Sequence, residues 1–124
     1  MRHYRVMLSD ALAAHREALR FGGRHGVLNQ AAIESALGRP YSGYHRSISK
    51  KAAALLHGIV QNHGFVDGNK RTALLVTLLL IERSGYRLQV QPDEPLDDVV
   101  VQVADGQMDF DDLTVWFQRR IRKR

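Results

Sequence analysis

The chain has 124 residues, of which 44% are hydrophobic and 25% are charged, a size and balance that predict one folded domain and exclude a disordered chain. It contains no cysteine, which excludes disulfide bridges and thiolate chemistry and is compatible with a reducing compartment. No apolar run reaches the length of a membrane span, and residues 1–5 lack the apolar core of a signal peptide. We therefore expect a cytoplasmic protein.

The net charge of +5 is concentrated at the carboxyl end. Residues 119–124 hold five of the 18 Lys and Arg residues and no acid, so the remaining 13 basic residues equal the 13 acidic ones in number. A nucleic-acid-binding domain is expected to spread its basic surface over the fold. We expect one domain over residues 1–124 that ends in a basic tail and does not bind nucleic acid directly. The cations of the tail would also complement a helix dipole.

The first predicted helix runs from about Ser9 to about Arg20. Residues 2–8 before it alternate only weakly and are expected to form a short extended segment. The Ser9 side chain can accept a hydrogen bond from the free N–H groups of the first turn. The Gly22-Gly23 pair then ends the helix.

Two further helices are predicted before the middle of the chain. Asn29 is expected to cap a helix over residues 30–37, which Gly38 ends. Ser47 or Ser49 is expected to cap the next helix, in which apolar residues recur at helical spacing. The connection between these two helices has no periodicity and is expected to be a loop.

The second half of the chain is predicted to add three helices. Residues 72–82 are apolar almost all round, which indicates a helix in the middle of the domain. Gly85 suits the end of that helix, and residues 86–90 alternate as a short strand would. A fifth helix begins near Pro95, and a sixth, with Trp116 in the core, runs over about 111–122. The expected fold is an all-α, compact single-domain bundle of about six helices with at most a minor strand pair or flap.

One stretch between the third and fourth predicted helices concentrates side chains that are capable of catalysis. It reads His-Gly-Phe-Val-Asp-Gly-Asn-Lys-Arg and occupies residues 63–71. His63 follows Ile59 at helical spacing and is expected to face inward with it. A helix that begins near Gly68 or Asn69 would present unpaired N–H groups and the positive end of its dipole, which together favour a phosphate.

The side chains of this stretch match the parts of a phosphoryl- or nucleotidyl-transfer site. The imidazole of His63 can take a proton from an attacking hydroxyl near neutral pH. Asp67 can hold a magnesium ion that bridges phosphates. Gly68 lets the backbone approach an anion, Lys70 supplies a point charge, and Arg71 can bind bidentately. A base, a metal ligand and an anion site therefore lie within nine residues.

Structural roles are also open to these residues. An isolated inward histidine is more often bonded to a backbone carbonyl than catalytic. Asp67 and Asn69 could each cap the following helix, and a capping Asp67 would still have an oxygen free for a metal. Phe65 is expected to anchor the loop in the core. Lys70 and Arg71 would form a solvated pair at the start of any other helix.

The stretch resembles the signature of the Fic/Doc (Fido) superfamily, and in particular its Doc, or death-on-curing, branch. The wider Fic pattern reads His-x-Phe-x-(Asp/Glu)-Gly-Asn-Gly-Arg-x-x-Arg. The chain matches this pattern at His63, Phe65, Asp67, Gly68, Asn69 and Arg71. It has Lys70 where most Fic proteins have Gly and Leu74 where they have a second Arg, as Doc proteins do. The resemblance extends through AAIESALGRP, KAAALLHGIVQNHGF and SGYRL to nearly the whole chain.

The resemblance implies a choice between two reactions. Fic proteins typically move AMP from ATP to a hydroxyl side chain, whereas Doc-like members move the γ-phosphate to a translation elongation factor, with ATP reversed in the site. Lys70 places a charge where AMP transfer needs bare backbone, and Leu74 removes a ligand for the outer phosphates. We therefore expect a Doc-like kinase toxin of a type II toxin–antitoxin system. A protein adenylyltransferase and a non-catalytic binding module are the alternatives.

The resemblance also implies a role for each motif residue. His63 is expected to be the general base and Asp67 the ligand of Mg²⁺. The remaining polar positions are expected to bind ATP through its phosphates and to stabilise the transferring phosphoryl group: Gly68, Asn69, Lys70 and Arg71. For Asn69, a contact with the loop backbone is the second possibility.

Two partners follow from the resemblance. In the family, the region that corresponds to residues 39–49 forms a flap that docks the target by strand addition. The expected flap residues are Pro40, Tyr41, Gly43 and Tyr44, unless the segment is an ordinary surface connection. The inhibitory Ser/Thr-x-x-x-Glu-Gly/Asn motif of many Fic proteins is absent from the sequence, so a cognate antitoxin with a partly disordered, acidic segment is expected to restrain the protein in trans.

The remaining histidines have weaker claims to function. His57 and His63 are six residues apart, which does not match the spacing of a helical zinc pair. The others are scattered along the chain and are expected to be exposed: His3, His15, His25 and His45.

Overall fold

The computed structural model describes residues 2–124, which form six α-helices and one two-stranded sheet. The elements are α1 (Leu8–Ala18), α2 (Gln30–Gly38), α3 (Ile48–Asn62), α4 (Asn69–Arg83), β1 (Tyr86–Leu88), α5 (Leu96–Ala104), α6 (Phe110–Gln118) and β2 (Ile121–Lys123), with a 3-10 turn at Arg39–Tyr41. The predicted all-α bundle of about six helices with a minor strand pair is confirmed. Within the described residues, none of the helices is long and apolar enough to span a membrane.

The α3 helix forms the centre of the bundle, with α2, α4 and α6 packed around it. Residues 52–56 of α3 are all buried, and three of them are alanines, so neighbouring helices can approach closely. A Cβ at Gly58 would lie 3.3 Å from the Cβ of Ala36 in α2. The small residues of α3 therefore allow close packing of α2 along it.

Several predicted helix ends are confirmed by hydrogen bonds. The Asn29 side chain accepts from the N–H of Ala32, and the Ser47 side chain accepts from the N–H of Lys50, which selects Ser47 over Ser49. Gly85, with φ of +88°, follows the end of α4 as predicted.

The start of the first helix differs from its prediction. Residues 2–7 form no strand; the N–H of Tyr4 instead bonds to the Oγ of Ser84 at 2.9 Å. The first helix begins after Met7, because the carboxylate of Asp10 accepts from the Met7 N–H at 2.9 Å and thereby holds the first turn. Ser9 lies inside the helix rather than at its cap.

The carboxyl end is a strand where a helix and a basic tail were expected. The last helix, α6, ends at Gln118, and Ile121 and Arg122 pair antiparallel with Leu88 and Arg87 of β1. Ile121 is buried in the strand, as it was expected to be in a helix, so its place in the apolar pattern did not distinguish the two. The paired strand is favoured because β1 offers it a backbone ladder that the sequence alone does not reveal.

Candidate active site

The motif crosses from the end of α3 to the start of α4. His63 is the C-cap of α3, with φ of 49° and ψ of 48°, and among the described residues it is the only non-glycine with positive φ. This left-handed conformation costs roughly 1–2 kcal/mol, and it turns the chain out of the helix. His63 is consequently exposed. The expectation that it faces inward is wrong, because the helical periodicity behind that expectation stops at Asn62.

Phe65 and Asn69 hold the motif loop in its shape. Phe65 is only 1% exposed, so its side chain packs in the core beneath the loop. The Asn69 Oδ1 accepts from the Phe65 N–H and the Asn69 Nδ2 donates to the Phe65 carbonyl, both at 3.0 Å. Of the two roles expected for Asn69, the structure shows the contact with the loop backbone.

A histidine from the first helix supports the same loop. His15 is buried, and its ring stacks on that of Phe65 with centroids 4.0 Å apart and planes inclined by 12°. Its Nε2 is 2.8 Å from the carbonyl oxygen of Asp67, to which it donates as the N–H tautomer. The prediction that His15 is exposed is wrong. Its burial could have been predicted from its spacing, since His15 lies on the same face of α1 as the buried residues Ala11 and Ala18.

The carboxylate of Asp67 ties a neighbouring loop to the motif. Its Oδ2 accepts from the Arg24 N–H at 3.0 Å and its Oδ1 accepts from the Gly68 N–H at 2.8 Å. These two hydrogen bonds, that of Arg24 first, hold the pKa of the exposed Asp67 carboxyl below its usual range. The cap of α4 is Gly68, with φ of +77°, so the alternative role of Asp67 as helix cap is not observed.

The loop over residues 22–28 lies directly against the motif. Val27 forms an antiparallel bridge with Phe65, the Val66 N–H bonds to the Gly26 carbonyl at 3.0 Å, and the Leu28 N–H bonds to the Gly64 carbonyl at 2.9 Å. Every residue of this loop is exposed. We call it the motif-edge loop.

Glycine is required where the motif-edge loop passes Asp67. A Cβ at Gly23 would lie 2.6 Å from the Cδ2 of Leu19 and 3.1 Å from the Oδ2 of Asp67, and its φ is +114°. Any other residue would therefore be strained there and would displace the Asp67 carboxylate.

The predicted flap lies at the other end of α3. Pro40 is buried, and the Tyr41 hydroxyl donates to the Tyr4 carbonyl at 2.6 Å and accepts from the Val6 N–H at 3.0 Å. Gly43 and Tyr44 are exposed. This segment precedes α3, a helix of 15 residues that is about 22 Å long, whereas His63 follows it. The expected position of the flap beside the motif is therefore wrong, and the motif-edge loop occupies that place.

The motif opens onto a cavity of about 710 Å³ between the end of α1, α4 and α5. Its lining is partly polar and partly apolar, with Leu74, Val100 and Ala104 among the apolar residues. The expected site residues that line it are His63, Asp67, Gly68, Asn69, Lys70 and Arg71. The structure thus brings together every expected motif residue except Phe65, which is buried beneath them.

The carboxylate that Asp67 presents to this cavity is of the kind that binds magnesium. Among the described residues, no group of three or more His, Cys, Asp or Glu side chains could hold a metal by itself. A carboxylate offers about four lone-pair positions, and the two hydrogen bonds of Asp67 leave two of them. Mg²⁺ is commonly held by one carboxylate together with waters and substrate phosphates. The residues present therefore fit Mg²⁺ bound together with a phosphate ligand.

A helical bundle with a histidine at the end of one helix, and with an acid and two cations at the start of the next, is the arrangement expected for the Fic/Doc superfamily. The model of the Fic/DOC family matches residues 5–81. The chain belongs to this family. It is 32% identical over 103 residues to "Toxin Doc" of Mycolicibacterium smegmatis, with 77% of this chain and 78% of the relative covered. It is 30% identical over 113 residues to "Protein kinase doc" of Escherichia phage P1, with 87% and 86% covered. The resemblance to the Doc branch is confirmed.

Proposed function

We propose that this protein is a Doc-like toxin that transfers the γ-phosphoryl group of ATP to a hydroxyl side chain of a protein target. The observation that carries the proposal is the shared cavity, in which the exposed His63 faces the same space as Lys70 and Arg71 at the start of α4. A base and an anion-stabilising surface at one opening are what a phosphoryl transfer needs. The names of the two relatives, a toxin and a protein kinase, support it.

In the proposed reaction, His63 accepts the proton of the target hydroxyl. The hydroxyl oxygen then bonds to the γ-phosphorus, and the bond from that phosphorus to the bridging oxygen breaks, so that ADP leaves with the electron pair. Lys70, Arg71 and the N–H groups at the start of α4 stabilise the charge on the transferring group. The two hydrogen bonds between the Asn69 side chain and the Phe65 backbone keep this loop in place during transfer.

Asp67 is the proposed ligand of Mg²⁺. When bound, the ion would neutralise charge on the phosphates and orient them. The Asp67 carboxylate is already fixed by the Arg24 and Gly68 N–H groups, so it would lose little freedom on binding a cation.

The orientation of ATP is inferred from Lys70 and Leu74. Both line the cavity, so each can affect how the phosphates lie. A lysine at 70 crowds the place where AMP transfer needs bare backbone, and a leucine at 74 gives the outer phosphates no charged partner. These two positions favour the reversed pose and phosphoryl transfer over AMP transfer.

We further propose that the motif-edge loop docks the target. It is exposed, it is anchored to the motif by the Val27–Phe65 bridge, and it could add a strand of a target segment to its free backbone edge.

The proposed target is a translation elongation factor, whose modification would stop translation and would place the protein in the cytoplasm. A cognate antitoxin would restrain the toxin in trans, and we propose that it carries a partly disordered, acidic segment.

A paired labelling assay tests the proposal. Purified protein, Mg²⁺ and bacterial lysate are incubated with ATP labelled on the γ-phosphate in one reaction and on the α-phosphate in the other. We expect protein-bound label from γ only, and its loss in His63→Ala. Label from α would instead establish AMP transfer. Label from neither reaction, also with purified elongation factor added, would favour a binding module without catalysis.

A further inference from the structure

A second cavity lies beside the start of α3, at the end of the helix away from His63. Its volume is about 540 Å³. Six of the eight residues that line it are Arg, Lys or His, and none is acidic: Arg2, His3, Arg5, Tyr41, Gly43, His45, Arg46 and Lys51. We call it the basic cavity. The body of the protein is neutral in total, but its charge is unevenly distributed.

Two cations of this cavity lie against the Tyr41 ring, and one of them also bonds to His3. The Tyr41 hydroxyl is fixed by its hydrogen bonds to the backbone of Tyr4 and Val6. The Arg5 guanidinium carbon lies 4.8 Å from the centre of the Tyr41 ring, and the Lys51 Nζ lies 5.9 Å from it. The Lys51 Nζ also donates to the His3 Nδ1 at 2.7 Å. The positive groups are thus arranged before any ligand arrives.

Within the described part of the chain, no carboxylate lies within salt-bridge distance of these cations. Among the described residues, the carboxylates that form salt bridges pair with Arg20, Arg83 and Arg120, none of which lines the basic cavity. Burial lowers the pKa of His3, and the adjacent Lys51 lowers it further; burial also lowers the pKa of Lys51. The Lys51 contribution to the His3 shift shows that basic groups lie close together here, and an anion would relieve their repulsion.

We propose that the basic cavity binds a small anion that carries several phosphate groups. Its volume lies within the range of small-molecule sites, about 300–1,000 Å³. Cations converge on it from residues 2–5, from 45–46 and from α3, so that several phosphates can be bound at once. Arginine forks suit phosphate oxygens, and the positive dipole end of α3 adds to the potential. This inference is independent of the proposed transfer reaction.

Backbone-amide NMR of the full chain tests it, because the amides report where a ligand binds. Inorganic tripolyphosphate is titrated at physiological salt, and its effects on residues 41–51 are separated from those on the motif, 63–71. We expect saturable shifts in the first group. Lys51→Met keeps the apolar stem but removes the cation, and it should weaken binding there by roughly tenfold, as for loss of one charged hydrogen bond. Shifts at the motif should be unchanged.

Lys50→Met is the matched control. It removes the same charge from the neighbouring, exposed position of α3, which does not line the cavity, so its effect should stay within about twofold. Equal weakening by both variants would overturn the proposal, because it would indicate attraction by the overall positive charge and not binding at a defined site. So would the absence of shifts over residues 41–51, and so would binding of oligoglutamate but not tripolyphosphate, which would indicate an acidic protein partner. If Lys51→Met alters the whole spectrum, Arg5→Gln takes its place.

ATP as a second probe distinguishes a nucleotide ligand from a polyphosphate ligand. Tighter binding of ATP than of tripolyphosphate over residues 41–51 would support a nucleotide ligand. Equal binding would support a polyphosphate ligand that is recognised by its phosphates alone.

Discussion

The ring of His15 lies flat on the ring of Phe65, with centroids 4.0 Å apart, although 50 positions separate the two residues in the chain. The same imidazole bonds to the Asp67 carbonyl at 2.8 Å. One side chain of α1 therefore supports both the anchor of the motif loop and the backbone of its acidic residue. His15 acts as a positioning residue, since it does not itself line the main cavity.

His15→Ala should lower the free energy of unfolding by about 3 kcal/mol, because it removes a buried ring and leaves a cavity. His15→Phe keeps the stack and loses only the bond to the Asp67 carbonyl, so it should cost about 1–2 kcal/mol. Denaturant unfolding of the three proteins measures both values.

In the labelling assay, His15→Gln, which retains a donor, should recover more activity than His15→Phe. Equal activity of the two variants would argue against a role for the bond in positioning.

Asn69→Ala should release the motif loop. It removes both bonds to Phe65 and should cost about 1–3 kcal/mol, with faster hydrogen exchange at the Phe65 N–H. Asn69→Asp keeps an acceptor for that N–H but no donor for the Phe65 carbonyl, so exchange should be intermediate. Should the exchange rate stay unchanged while the KM for ATP rises, Asn69 would act on phosphate and not on the loop.

Asp67 should make the attachment of the motif-edge loop depend on pH. Its folded pKa is lowered by the Arg24 and Gly68 N–H groups, so its contribution to stability is fully present above the unfolded pKa of about 3.9. That contribution is lost as the pH falls through the lower, folded pKa. Asp67→Asn should therefore have a lower free energy of unfolding than wild type at pH 6. Below pH 4 this difference should shrink towards zero, because the wild-type carboxylate becomes protonated.

Urea unfolding across this pH range measures the effect of Asp67. Asp93→Asn serves as the control, since Asp93 is exposed as Asp67 is, whereas the hydrogen bonds that this prediction concerns are accepted by Asp67. It should follow the wild-type curve throughout. A gap for Asp67→Asn that stays constant down to pH 2 would contradict the role assigned to the carboxylate.

Residues 121–123 should behave as a structural strand. Ile121→Ala removes a buried side chain and should cost about 2 kcal/mol, and removal of residues 119–124 should cost more, because the sheet and the bond between Arg120 and Glu94 at 2.6 Å are then lost. Lys123→Gln, at an exposed position, should change stability by less than about 0.5 kcal/mol. Thermal unfolding compares them. A truncated protein as stable as the full chain would restore the interpretation of this segment as a tail.

Lys70→Gly combined with Leu74→Arg should move the reaction towards AMP transfer. The double variant restores bare backbone and a second arginine within the same cavity, so label from the α-phosphate of ATP should appear and label from γ should fall. Each single variant should show less of this change. Unchanged labelling from γ in the double variant would mean that other residues set the orientation of ATP.

The local sequence determined the helices, most of their ends and the chemistry of the motif. Caps such as Asn29 and Ser47 act within three residues of the chain, and the buried face of α5 follows from spacing alone. The motif residues from 67 to 71 meet at the start of one helix, so a short stretch of sequence already places them together.

Only the tertiary structure decided which distant segments meet at the motif. The inward face of His15 depends on α1 packing against the loop that holds Phe65. The antiparallel packing of α2 along α3 carries residues 40–44 away from His63 and leaves residues 22–28 beside it. Residues 121–123 are a strand because β1 lies within reach. Each of these outcomes depends on a partner far away in sequence, and spacing within a single segment carries no record of that partner.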